Sequence, residues 1–204
     1  MVLEACVQTL HESVKAEKMG ADQIELCDRL DLDGLTPDFD LVRNVVNTIK
    51  IPVKIMIRSR AGDFCYNDLE LAKMISDIDS CKKLGIKEVT FGCLTDKNDI
   101  DILSTKKLVH AAHPMLVTFH KAIDMSNDII EGLEILSKIK PIKSILTSGG
   151  KESAKEGQFV IRKILEHFQN RFKIFACGKV TRENLIFLHN KIGADYYHGK
   201  KIVF

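Results

Sequence analysis

The sequence lacks a strong charge of either sign. Its 204 residues carry a formal net charge of only +2, and the charged residues are scattered along the chain. A protein that binds nucleic acid or an anionic membrane surface usually carries a basic stripe or a block of like charges. The composition therefore argues against both partners and favours a small molecule or a metal ion as the ligand.

Long hydrophobic runs are also absent. No apolar stretch approaches the roughly 18 residues that a membrane-spanning helix needs. The N-terminal MVLEACVQTL has no basic region ahead of a long apolar segment, which is unlike a secretory signal. We therefore expect a cytoplasmic protein without membrane association.

The six cysteines lie at irregular spacings and include no CxxC pair. This pattern signals neither a zinc ribbon nor a disulfide framework, so reduced thiols are expected. Only four prolines occur, and no linker or low-complexity tract interrupts the chain. Because 45% of the residues are hydrophobic, residues 1–204 are interpreted as one globular domain with a substantial core.

The sequence does contain an alternation of short apolar runs with longer stretches of helical spacing. The predicted strands are 3–7, 23–27, 52–58, 88–92, 115–120, 144–148, 172–176 and 195–199. The predicted helices are 9–19, 38–49, 68–84, 101–112, 128–139, 153–169 and 182–191. Such alternation predicts an α/β fold with a parallel sheet, and eight units indicate a (β/α)8 TIM barrel that lacks the final C-terminal helix. A doubly wound sheet is less well supported, because no GxGxxG follows the first strand.

Strand alternation sorts polar residues onto the inner face of this barrel. Residues two apart in a strand share a face, so LEACV turns Glu4 inward with Cys6, and QIELC turns Glu25 inward with Cys27. The same parity brings further ionisable residues to the inner face: Lys54, Arg58, His120 and His198. One interpretation is an ion-pair network that fills the barrel. We favour a functional site, because barrel enzymes place their chemistry at the carboxyl ends of the strands.

The two cysteines form a second feature of the inner face. Parity places Cys6 and Cys27 one layer above the two glutamates, on neighbouring strands roughly 4.8 Å apart. Two thiolates suit Cu(I), a soft cation that accepts linear sulfur ligation. The competing interpretation treats both residues as small buried hydrophobes, a common role for free cysteine.

These motifs together resemble the CutC family, which is associated with copper homeostasis. The resemblance rests on LEACV, GADQIELC, the GLTP turn at 34–37, IPVKIMIRSRAGDFCY at 51–66, FGCLT at 91–95, VTFHKAIDM at 117–125 and ILTSGG at 145–150. It implies a (β/α)8 barrel in which Cys6 and Cys27 are the expected Cu(I) ligands, with no organic cofactor. It also implies a polar cavity at the barrel mouth that contains Glu25, Arg58, His120 and Asp124.

Two functions follow from these residues. The first is a cytosolic copper homeostasis protein that binds Cu(I) through Cys6 and Cys27. The alternative is a barrel enzyme that acts on a small anionic metabolite. Its catalytic residues would be Glu25, His120, Arg58 and Asp124, and its substrate-binding residues Glu4, Arg60, Thr147, Ser148 and His198.

Further alternatives concern the role of Lys54 and the assembly of the protein. In an enzyme, Lys54 is a candidate for Schiff-base formation, although an ion pair with Glu4 or Glu25 is the preferred interpretation. A third possible role is that of an assembly or scaffold component. A homo-oligomer is expected.

Overall fold

Eight short strands and seven helices alternate along the computed structural model, which describes residues 1–204. The strands are β1 Val2–Val7, β2 Gln23–Leu26, β3 Val53–Met56, β4 Glu88–Phe91, β5 Leu116–Phe119, β6 Ile142–Thr147, β7 Lys173–Ala176 and β8 Tyr196–Gly199. The helices are α1 Leu10–Lys18, α2 Phe39–Thr48, α3 Asp68–Lys83, α4 Ile102–Ala112, α5 Ile129–Ser137, α6 Gln158–Phe168 and α7 Leu185–Ile192. Short 3-10 turns, Leu30–Leu32 and Lys121–Met125, follow β2 and β5. No helix combines the length and apolar character needed to cross a membrane.

The strands form a closed parallel barrel in sequence order, with β8 pairing back to β1. This confirms the predicted (β/α)8 barrel. Outward-facing strand residues such as Ala5 and Val7 join the helix faces in a core of 50 buried residues. The apolar side chains of each strand therefore pack against the helices, and the polar side chains face the barrel lumen.

Polar caps fix where several helices begin. The Thr9 hydroxyl accepts the amide hydrogen of Glu12 at 3.0 Å before α1. Before α3, Asn67 and Glu70 form a reciprocal capping box. These contacts satisfy amides that have no partner inside the helix, so each loop from strand to helix ends at a defined residue.

Several elements are shorter than the sequence indicates. β3 stops at Met56 and β5 stops at Phe119. Arg58 and His120 therefore lie in loops after their strands, where alternation no longer determines the direction of a side chain. Likewise α6 begins at Gln158, because residues 153–157 form bends and turns rather than a first helical turn.

No eighth helix follows β8, in agreement with the sequence prediction. Ile202 and Val203 are buried in the core instead. The Phe204 ring lies 5.1 Å from the ammonium of Lys15 on α1. The residues after β8 therefore pack against the barrel without forming a helix.

Candidate functional site

Strand register determines which inward side chains meet. Cys6 pairs with Glu25 across β1 and β2, and Glu25 pairs with Lys54 across β2 and β3. Glu4 pairs with His198 across β1 and β8. The five residues therefore form one contiguous polar group. The prediction that Cys6 lies one layer above Glu25 is wrong, because the stagger of a barrel offsets neighbouring strands.

Lys54 holds one end of this group together. Its Nζ lies 3.0 Å from Glu4 Oε2 and 3.3 Å from Glu88 Oε1, and it donates to Thr118 Oγ1 at 3.1 Å. The ammonium also lies over the Phe175 ring, 4.0 Å from its centre. These contacts agree with the ion pair between Lys54 and Glu4 that the sequence favours. They do not agree with a Lys54 amine that is free to act as a nucleophile. Sequence reasoning missed Glu88, although the alternation in EVTFG could have placed it on the inner face.

Glu4 has three polar partners in this group. Its Oε1 lies 2.9 Å from His198 Nδ1, and the Gln23 amide and Lys54 donate to its Oε2. Burial alone would raise the pKa of Glu4, but Lys54 and His198 outweigh it and hold the pKa at about 2. Burial opposes the charge on His198, yet Glu25 and the neighbouring acidic groups raise the pKa of His198 well above its usual range. Ionised Glu4 and protonated His198 therefore form a buried ion pair.

The two thiols form the other end of the group. Cys6 Sγ lies 3.7 Å from Cys27 Sγ, and Glu25 Oε2 lies 3.7 Å and 3.6 Å from the two sulfurs, respectively. A hydrogen bond from Cys27 lowers the pKa of Cys6 to about 5, against the opposing effect of burial. The same hydrogen bond, together with burial, raises the pKa of Cys27. At neutral pH the pair is one thiolate and one thiol, and the thiolate is the form that binds metals.

Glu25 links the thiols to the imidazole. Its Oε2 lies 3.8 Å from His198 Nε2, and its Oε1 is buried without a hydrogen-bond partner. Burial raises the pKa of Glu25 to about 7. A buried carboxylate destabilises the fold unless a proton or a cation neutralises it. Potential ligand atoms of Cys6, Glu25 and Cys27 all lie within 4.8 Å of one another, as do those of Glu4, Glu25 and His198, so the group has the donors and spacing of a metal site.

The loop between β2 and α2 covers the thiols. Leu30 and Met56 pack against the two cysteines. Gly34, at φ +91°, approaches Cys27 so closely that an added Cβ would lie 3.3 Å from its Sγ. Glycine suits this position because it tolerates positive φ and close packing. The cover leaves Cys6 only 6% exposed and Cys27 fully buried.

Arg58 and His120 form a separate pair that meets at Phe64. The Arg58 guanidinium donates to backbone carbonyl oxygens in the loops after β2 and β3. The Phe64 ring centre lies 4.8 Å from Arg58 Cζ and 4.9 Å from the His120 ring centre. His120 Nδ1 accepts the Ala122 amide hydrogen at 3.2 Å, and its Nε2 is buried without a partner. Burial and the Arg58 charge lower the pKa of His120 to about 3, which keeps the imidazole neutral.

Asp124 anchors the loop after β6. It accepts hydrogen bonds from the Thr147 hydroxyl at 2.5 Å, from the Ser148 amide and hydroxyl at 2.8 Å each, and from the Gly150 amide at 3.0 Å. Arg60 pairs with two carboxylates near the start of α3. Of the sequence-predicted residues, Glu4, Glu25 and His198 join the cysteines, whereas the other side chains meet in separate clusters.

Fold and site together define a (β/α)8-barrel protein with a buried group of thiols, carboxylates and an imidazole on β1, β2 and β8. The sequence model of the CutC family matches residues 1–203, and the chain belongs to this family. The CutC family protein of Pasteurella multocida is 36% identical over 97% of this chain and 81% of its own length. The human copper homeostasis protein cutC homolog is 37% identical over 97% of this chain and 72% of its own length.

Solved structures agree on the fold. The crystal structure of CutC from Streptococcus agalactiae superposes with a TM-score of 0.94 at 30% identity and covers 99% of both chains. A dihydrodipicolinate synthase from Bacillus anthracis gives a TM-score of 0.67 at 16% identity, over 97% of this chain and 69% of its own. The similarity to dihydrodipicolinate synthase shows only that the two proteins share the barrel fold.

Proposed function

We propose that this protein binds Cu(I) through Cys6 and Cys27 and serves copper homeostasis in the cytosol. The observation that carries the proposal is the pair of buried sulfurs 3.7 Å apart, one of which favours the thiolate at neutral pH. Soft thiolate ligands select Cu(I) over hard cations. The name of the human relative, a copper homeostasis protein homolog, supports the same function.

The surroundings of the thiols also suit a soft monovalent ion. Leu30 and Met56 pack against the sulfurs and exclude water, which favours retention of the reduced metal. All six cysteines are free thiols, as expected in the reducing cytosol. Linear ligation places the ion between the two sulfurs and holds them farther apart than 3.7 Å, so we expect Cu(I) binding to rotate the two side chains away from each other.

An anaerobic Cu(I) titration against a competing chelator tests the proposal. The wild-type protein is expected to bind one Cu(I) ion, and the double variant Cys6→Ser/Cys27→Ser to bind none. Cys65→Ser is the matched control, because Cys65 is a free thiol that contacts neither residue of the pair. Unchanged Cu(I) stoichiometry in the double variant would contradict the proposal.

One observation favours a second function, catalysis on a small anionic metabolite. His120 is neutral and its Nδ1 accepts a hydrogen bond, so its buried Nε2–H, which has no protein partner, can donate a hydrogen bond to a bound anion. Against this, the guanidinium groups of Arg58 and Arg60 already donate to several protein oxygens, and among their nitrogens only Arg58 Nε has no partner. A thermal-shift screen of small anionic metabolites tests it. A ligand-induced shift that disappears in His120→Gln supports catalysis, and no such ligand counts against it.

A further inference from the structure

We infer that a basic cleft at the amino ends of β5 and β6 binds a phosphate ester with a planar or apolar body. The cleft has a volume of about 300 Å³ and lies between the C-terminal half of α4 and the loop from α5 to β6. Cys6 and Cys27 lie near the carboxyl ends of β1 and β2, at the opposite end of the barrel. The cleft is therefore a second site, which shares no residue with the proposed Cu(I) site.

Five basic side chains line this cleft. They are Lys106, His110 and His113 on α4 and at its end, and Lys138 and Lys140 after α5. No acidic residue lines the cleft, and no carboxylate pairs with any of the three lysines. Lysine ammonium groups are common partners of phosphate, and a cleft lined by one sign of charge concentrates anions of the other sign. The positive charge of the cleft thus has no counter-ion within the protein.

The negative ends of the two helices explain only part of this charge. Basic residues are favoured in the last turn of a helix, where free carbonyl groups carry partial negative charge. The last turn of α4 contains only one basic residue, His110, and that of α5 contains none. Residues 105–116 and 138–143 together contain five lysines and two histidines but no acidic residue, although the whole chain has 30 Lys and Arg against 28 Asp and Glu. The fold therefore brings two purely basic segments to one cleft.

The floor of the cleft is apolar. Val109 and Ile139 line it, are each 5% exposed and belong to the barrel core. Pro141, which is half-buried, continues this surface. Small-molecule sites have volumes of roughly 300–1,000 Å³ and combine apolar walls with a few polar groups. A free phosphate ion would fill little of this volume and would leave the floor without contacts, so the ligand that fits is a phosphate ester whose body packs on the floor.

Isothermal titration calorimetry with AMP as the probe tests the inference, because AMP joins one phosphate to a planar base. We expect AMP to bind more tightly than inorganic phosphate or adenosine, since each of these offers only one of the two parts. The imidazole NMR signals of His110 and His113 should shift when AMP is added. No AMP binding, or an affinity for AMP no higher than for inorganic phosphate or adenosine, would overturn the inference. Binding that leaves both imidazole signals unchanged would place AMP elsewhere and would overturn it as well.

Lysine variants show whether the cleft or the general charge of the surface binds AMP. Lys106→Gln and Lys140→Gln should each weaken AMP binding by about 10-fold, because each removes a charged donor to the phosphate. Lys107→Gln is the matched control with unchanged affinity, since Lys107 is an exposed neighbour on α4 that does not line the cleft. Equal losses in Lys106→Gln and Lys107→Gln would reveal only a general attraction to a basic surface and would contradict a site. All three lysines are exposed, and thermal unfolding verifies that the variants fold.

The outcome for this cleft is independent of the Cu(I) proposal. The double variant Cys6→Ser/Cys27→Ser should bind AMP as the wild type does, and Lys106→Gln should bind Cu(I) as the wild type does. Loss of AMP binding in the folded cysteine variant would contradict two separate sites.

Discussion

At the scale of the single residue, His120 shows how burial determines protonation. Its pKa of about 3 in the folded protein lies below the usual value of about 6.5, because burial and Arg58 disfavour the cation. The unfolded chain therefore binds the additional proton between these two values. Stability contributed by neutral His120 is complete above about pH 6.5 and is lost as the pH falls toward 3.

We expect the difference in free energy of unfolding between the wild type and His120→Gln to depend on pH. Below about pH 6, the wild type should lose free energy of unfolding relative to the variant by up to about 1.4 kcal/mol per pH unit. Urea unfolding at several pH values measures this gap. An imidazole NMR signal of His120 that titrates with a midpoint near the usual value would contradict the assignment.

Lys54 provides a second residue-scale prediction. Lys54→Met leaves the buried carboxylate of Glu4 without its ammonium partner, and loss of one member of a buried ion pair destabilises a protein by about 3–5 kcal/mol. Urea unfolding should therefore show a large loss of stability. The double variant Glu4→Gln/Lys54→Met is expected to be less destabilised than the single variant. Equal or greater destabilisation of the double variant would argue against the ion pair.

At the scale of the element, strand alternation predicts on which face of a strand a residue lies. It does not predict which residues of neighbouring strands contact each other. Alternation correctly placed Glu4, Glu25 and His198 on the inner side, because they lie within β-strands. It did not give the register between strands, which depends on barrel stagger, and so it separated Cys6 from Glu25. Loop residues such as Asp124 were found by motif alone, since their partners are set by tertiary contacts.

The β2–α2 loop over the thiols supplies the prediction at this scale. Gly34→Ala should cost about 1–2 kcal/mol, because φ is positive there, and should also weaken Cu(I) binding, because the new methyl group presses on Cys27. Gly20→Ala is the matched control: φ is +88° and nothing lies within 4 Å of the added Cβ. Both variants should lose similar stability in urea unfolding. Equal Cu(I) affinities in the two variants would contradict a role of this loop at the site.

At the scale of the whole molecule, the barrel leaves apolar side chains exposed on α6 and α7. Phe159 is 74% exposed and Ile186 is 62% exposed, and the two helices pack side by side. Exposed apolar clusters commonly mark protein interfaces. If the homo-oligomer expected from the sequence uses this face, Phe159→Glu should reduce the mass measured by light scattering. Leu69→Glu on α3 is the control, and an equal mass for all three proteins would argue against this face.

The proposed function of the whole molecule requires that the barrel bind copper through sulfur. X-ray absorption at the copper edge of the Cu(I)-loaded protein measures this most directly. Binding through Cys6 and Cys27 predicts a first shell of two sulfur atoms that disappears in Cys6→Ser/Cys27→Ser. A first shell of nitrogen or oxygen alone, or a sulfur shell that survives the double substitution, would contradict it.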